Sequence, residues 1–184
     1  MAKIENRYAN ALLELTAENG SPEKDLAQAA LVYEALDNPE TGAFLADPQI
    51  PKREKDALLQ KAFSGLIGGH LPGFLQLMVR KNRVGLILPV LSEYMIRQNR
   101  RLGRTEAKIV SATPLSPQQI DAISSVIAKQ VNMQILTKTA IDPDVIGGFY
   151  VLVEGRVFDA TIRHKLDGLR EYLRKGGSYA HQTG

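Results

Sequence analysis

The chain has 184 residues, 44% hydrophobic, 6% aromatic and 23% charged, with a formal net charge of +3, proportions of a globular protein rather than of a disordered, collagen-like or membrane chain. It has no cysteine, which excludes a disulfide framework, a thiolate zinc site, an iron–sulfur cluster and a cysteine nucleophile. The charge is unevenly placed: residues 1–79 hold 7 Lys or Arg against 11 Asp or Glu, whereas residues 80–104 hold 7 against the single Glu93.

The opening MAKIENRYANALLEL is broken by Glu5, Asn6, Arg7 and Asn10, so it lacks the apolar core of a signal peptide and reads as mature structure. From there to about Arg104, apolar residues recur at helical spacing between Gly, Pro and Asn breaks, which predicts six short helices in a bundle. The first covers about Ile4 to Glu18. The second starts at Ser21, whose hydroxyl can cap it, with Pro22 at the first helical position, and ends near Asn38-Pro39. A short third helix through Phe44 and Leu45 stops at Asp47-Pro48. The fourth runs from about Pro51 to the glycine-rich GLIGG, the fifth opens at Pro72 and reaches about Asn82, and the sixth spans about Leu86 to Leu102 with Leu91, Tyr94 and Met95 inward.

After Gly103 the period changes. Ala107, Ile109 and Ser111 alternate with Lys108, Val110 and Ala112 as in a strand. Ser116 caps and Pro117 begins a helix lined by Ile120, Ile123, Ile127 and Val131. The strand-like MQILTKTAID follows, then GGFYVLVEGRVFD, a hairpin turning at Glu154-Gly155. Asp159 is placed to cap a last helix carrying Ile162, Leu166, Leu169 and Leu173. The predicted class is mainly α: an N-terminal six-helix bundle over residues 1–104, then a small α/β domain over residues 105–184 with a flexible tail.

No local signature of catalysis or cofactor binding is present. Neither GLIGGH nor VIGGF supplies the lysine of a phosphate-binding loop. His70, His164 and His181 have no carboxylate at ligand or triad spacing, and Asp142-Pro143-Asp144 lacks the rest of a calcium loop. The expectation is no enzyme, no metal and no cofactor.

Surfaces are more informative. On a helical wheel the apolar residues of the first helix, Ile4, Tyr8, Ala9, Ala11, Leu12, Leu13, Leu15 and Ala17, spread over roughly 240°, more than twice the stripe a helix needs on one core. Either this helix is central in its own bundle or a partner covers the second flank. The fifth helix, with Phe74, Leu75, Leu77, Met78 and Val79 over about 200°, would be the other wall of a groove for an amphipathic helix. Arg97, Arg100, Arg101 and Arg104, at i, i+3, i+4 and i+7, would align along one side of the sixth helix. They are a solvated face, a balance to the acidic first part, a site for an acidic partner, or a phosphate site. The last, with Phe149-Tyr150 on the sheet, is the alternative of a nucleic-acid-binding α/β protein, against which those neighbouring aromatics point to opposite faces.

In series, RYANALLEL, LDNPETGAFLADPQIPKREK, FLQLMVRKNRVGLILPVLSEY, AKIVSATPLSPQQ and IDPDVIGGFYVLVEGRVFDATIRHKLDGL resemble the delta subunit of F-type ATP synthases, called in mitochondria the oligomycin-sensitivity-conferring protein. The resemblance covers about Ile4 to Leu173. It implies a non-catalytic stator subunit of the peripheral stalk. The helical domain would bind amino-terminal segments of the alpha subunits, and the second domain the carboxy-terminal part of the b-subunit stalk. It places Tyr8, Ala11, Leu12, Leu15 and Met78 at the alpha-subunit groove, and leaves the b-subunit contacts unassigned. It implies no nucleic acid, attachment to a membrane only through the complex, and a position on the cytoplasmic face of the bacterial plasma membrane or the equivalent organelle face.

Overall fold

The computed structural model describes residues 2–18 and 20–162. It divides into two compact units after Leu102, and the described residues are mostly helical with one small sheet.

The described residues of the first unit form six α-helices: α1 (Ala2–Ala17), α2 (Pro22–Leu36), α3 (Pro39–Ala46), α4 (Lys52–Phe63), α5 (Leu71–Arg80) and α6 (Ile87–Arg101), with a 3-10 turn at Val84–Leu86 before α6. Asn38 caps α3, its side chain accepting the Glu40 N–H. Ser21 stands at the N-cap of α2, but its hydroxyl makes no capping bond, contrary to the sequence expectation. Its ψ of 60° is not the extended geometry that aims a hydroxyl at the first turn, and Pro22 with the Ser21 carbonyl, which accepts from Asp25 N–H, is left to start the helix. Two lysines of α4 close helix ends elsewhere. Lys55 Nζ donates to the Asp47 carbonyl at the end of α3 at 2.6 Å, and Lys52 Nζ to the Arg80 carbonyl at the end of α5 at 3.0 Å, each placing a cation where helix carbonyls lack partners.

The central helix is α6, whose Ile87, Val90, Leu91 and Tyr94 are fully enclosed and which packs against α1 and α2. Around it lie Ala9, Leu12 and Leu13 of α1, Ala29 and Val32 of α2, and Leu71, Leu75 and Met78 of α5. The Tyr94 hydroxyl donates to Thr16 at 3.2 Å, and Thr16 in turn to the Leu12 carbonyl. Burial, reinforced by the nearby Asp25, pushes the Tyr94 phenol above its ordinary range. Because the folded value lies above the unfolded one, this group leaves stability intact below about pH 10 and removes it as pH rises through the folded value. Urea midpoints of the full chain between about pH 8 and 11 are therefore expected to fall more steeply above about pH 10 for the native protein than for Tyr94→Phe.

The second unit is a four-stranded sheet with one described helix. β1 (Arg104–Ser111), α7 (Pro117–Val131), β2 (Gln134–Ile141), β3 (Phe149–Val153) and β4 (Arg156–Asp159) give the sheet order β2-β1-β3-β4. β1 and β2 are parallel, joined through α7, and the other pairs are antiparallel. Ser116 and Gln119 form a complete capping box on α7. Ile120, Ile123, Ile127 and Val131 of that helix pack with Ala107, Ile109, Val151 and Val153, as the period of the sequence predicts. The β3–β4 turn has positive φ at both Glu154 and Gly155, the geometry that matches the twist of a two-residue hairpin. Gly148, at φ +80°, has no room for a side chain, since a Cβ would stand 2.6 Å from the Ala160 carbonyl. That close approach brings β3 beside the turn in which Asp159 accepts the Thr161 N–H at 2.8 Å. Of the expected last helix only Ile162 is described; Leu166, Leu169 and Leu173 lie outside the described residues.

Candidate protein-docking site

The two arcs of α1 have different fates. Ala9, Leu12, Leu13 and Thr16 are buried against α6 and its neighbours, which uses about 100° of the wheel. Ile4, Tyr8, Ala11 and Leu15, at i, i+4, i+7 and i+11, form a second seam that the unit leaves open. Ile4 is 38% and Leu15 44% exposed, Ala11 is exposed and Tyr8 half-buried. This seam is about 16 Å long at helical rise. Beside it is a recess of about 260 Å3 lined by Ile4, Arg7, Tyr8, Ala11 and Arg83.

Of the five residues that the resemblance places at the groove, the structure brings Tyr8, Ala11 and Leu15 together on this seam. Leu12, 2% exposed, and Met78, 0% exposed, belong to the core beneath, so neither side chain is at the surface. The second wall expected from α5 is also internal, with Phe74, Leu75 and Val79 all buried. Its wide apolar arc is satisfied within the unit because α5 is surrounded, whereas the wide arc of α1 is satisfied only in part.

What flanks the recess is the corner after α5. Asn82, at φ 55°, ends that helix in the left-handed conformation; Asn82 N–H donates to Val79 and Arg83 N–H to the Met78 carbonyl at 2.8 Å, the two bonds of a Schellman stop. The stop directs Arg83 to α1, where its guanidinium donates to the Tyr8 hydroxyl at 2.6 Å and lies 5.7 Å from the ring centroid. Met78 thus serves the site through its carbonyl. Ile4, Arg7 and Arg83 were not singled out from sequence for this site; an asparagine stop followed by arginine is the local signal that could have marked Arg83.

The arginine stripe is cut short by the fold: Arg97, Arg100 and Arg101 stand on α6, and Arg104 does not. α6 ends at Arg101, Gly103 turns the chain at φ +70°, and Arg104 opens β1. Arg97 is turned onto α1 and its own helix, donating to Asn6 at 3.1 Å, to Asn10 and to Glu93 at 2.6 Å. Arg101 reaches the Leu13 carbonyl and Arg104 the Gln134 side chain. On the sheet, Phe149 packs into the core beside α7, while Tyr150, its chain neighbour, falls on the opposite face, so the pair makes no stacking platform. The observations that suggested a nucleic-acid reader have structural explanations.

Among the described residues no three His, Asp or Glu side chains come together at metal-ligating range, and no helix is long and apolar enough to cross a membrane. Asp142 accepts the Asp144 N–H within its own turn. The second unit has an apolar recess of about 410 Å3 between α7 and the sheet, with Ile123, Val126, Phe149 and Phe158 on its walls.

A family model described as ATP synthase delta (OSCP) subunit matches residues 4–173. Similar proteins include the ATP synthase subunit delta of Halalkalibacterium halodurans, 33% identical over 94% of this chain and 96% of that one. That of Acetivibrio thermocellus is 34% identical over 94% and 98%. In fold, the chain is similar to one in the cryo-EM structure of the Toxoplasma gondii mitochondrial ATP synthase hexamer. That similarity has a TM-score of 0.75 at 22% identity, covering 92% of this chain and 97% of the other.

Proposed function

The chain belongs to the ATP synthase delta (OSCP) subunit family, and from that premise we propose that its two units are the two ends of a coupling between the catalytic head and the stalk. A subunit of this family is a peripheral-stalk component of the proton-translocating ATP synthase, with a structural part in the complex. The first unit takes the amino-terminal segment of an alpha subunit on the Ile4–Leu15 seam, with Tyr8, Ala11 and Leu15 as contacts and Leu12 and Met78 holding the seam's shape from beneath. The second unit joins the carboxy-terminal part of the b-subunit stalk. Neither unit performs chemistry, and the chain lies peripherally on the cytoplasmic face of the membrane, or its organelle equivalent, through these partners.

The observation that carries this reading is the open seam on α1 itself. A helix whose buried arc is already complete leaves four further apolar side chains in helical register, three of them exposed and Tyr8 half-buried, with Ile4 and Leu15 among the large exposed apolar residues of the protein. Register of this kind fits a second helix, whose own apolar anchors recur at the same spacing. In the rotary machine the rotor's torque would carry the head round unless the stator held it. The joint must then outlast many turnovers, which demands slow dissociation. Covering apolar surface at roughly 25 cal/mol per Å2 supplies the affinity, less the cost of ordering the incoming segment. In the second unit the apolar recess and the exposed Val126 support a protein partner there as well.

Affinity purification of a tagged full chain from membranes dissolved in mild detergent tests the reading. Alpha, beta and b subunits are expected in the eluate; recovery of the chain without any of them overturns it.

A further inference from the structure

Resting on that docking site, we propose that the segment received by the α1 seam is an acidic amphipathic helix, whose apolar anchors fill the seam while a carboxylate pairs with Arg83 and Arg7 at the recess. The seam alone asks for an apolar stripe. The recess asks for something more, because two of its five lining residues are guanidinium groups over an otherwise apolar floor of Ile4, Ala11 and the Tyr8 ring.

These cations are placed and uncompensated. Arg83 is held by the Schellman stop behind it and by Tyr8 in front, a neutral acceptor that engages one of its five N–H donors. Arg7, one turn from Ile4 and Ala11 on α1, is exposed at the same recess. Among the described residues none of Arg7, Arg80, Lys81 and Arg83 has a carboxylate within ion-pairing distance. The corner Arg80-Lys81-Asn82-Arg83 has no acidic residue, and Glu93 is the next along the chain. The contrast with α6 is direct: Arg97 is matched to Glu93 and two asparagines of α1, whereas the arginines at the recess face outward. A purely apolar helix laid on the seam would strip water from them and return nothing, a cost that a carboxylate removes by a planar, charge-assisted pair. The same charge speeds encounter and sets the register in which the helix lies.

The probe is a synthetic peptide of about the first 25 residues of the same organism's alpha subunit, with a second peptide in which every Asp and Glu is replaced by Asn or Gln, titrated calorimetrically into the full chain. The neutralised peptide is expected to bind at least about tenfold more weakly. The Arg7→Gln/Arg83→Gln double variant is expected to bind the native peptide as weakly, and to distinguish the two peptides by less than about twofold. Arg7→Gln alone, on an exposed position of α1, should lower affinity about threefold with unchanged circular dichroism, which keeps the test decisive even where loss of Arg83 disturbs the corner. Equal affinity of both peptides for the native chain overturns the carboxylate and leaves the docking reading standing. No binding of the native peptide, or an alpha segment with no acidic residue beside its apolar stripe, overturns the proposal; the former also removes the docking site on which it rests.

Discussion

Leu15→Asp is expected to lower affinity for the alpha-subunit amino-terminal peptide by about 100-fold, or ~2.7 kcal/mol, while the thermal midpoint of the full chain stays within a degree or two of the native value. Leu15 lies at the end of the seam, 44% exposed, so the free protein solvates the new carboxylate at little cost. Once a partner helix covers the position, that charge must be desolvated against apolar anchors, and the proposed carboxylate on the partner would repel it. Both effects appear only in the complex. Calorimetric titration with differential scanning on the same sample separates them: an unchanged affinity refutes the seam as the docking site, and a large fall in midpoint shows that Leu15 is structural.

Leu15 belongs to an apolar width that is legible in the sequence and to a surface that only the folded unit decides. Element ends were legible where the signal is local. Asn38-Pro39 at the end of the second helix, Ser116-Pro117 at the start of α7 and Glu154-Gly155 in the hairpin each act within four residues, and each stands where expected, Ser116 with Gln119 added as the other half of its capping box. The excess apolar width of α1 was legible too, because a wheel measures width. A wheel does not say which arc meets the core. That is decided by α6, which takes the arc of Ala9, Leu12, Leu13 and Thr16 and leaves Ile4, Tyr8, Ala11 and Leu15 outside. For α5 the same width signalled the opposite outcome, since a helix surrounded by neighbours also needs a wide arc. The arginine stripe failed for a different reason. The i+7 spacing counted Arg104 on a helix that ends at Arg101, and the pairing of Arg97 with Asn6 and Asn10 depends on contacts more than 80 positions apart. Arg83 went unread because its role arises only when the Asn82 stop delivers it to Tyr8.

The same distinction between width and placement gives the largest stability effect. Met78→Asp is expected to unfold the first unit rather than to weaken binding by a folded one. Met78 is 0% exposed and packs in the core with Leu71, Leu75 and Val90, so the substitution removes a large apolar side chain and introduces a carboxyl group with no donor arranged to receive it. Loss of the buried methionine costs about 2–5 kcal/mol, and burial of an unpaired polar group adds about 1–3 kcal/mol more. Together these approach the whole stability of about 5–15 kcal/mol typical of a domain. Circular dichroism of the full chain should show most of the helical signal lost at 25 °C, or a midpoint lowered by well over 10 °C. Met78→Leu, nearly equal in volume, should fold and bind the alpha peptide within about threefold of the native chain. A folded Met78→Asp protein with normal peptide affinity would contradict the packing of α5; a folded one with lost affinity would return Met78 to the docking surface and displace the α1 seam as its centre.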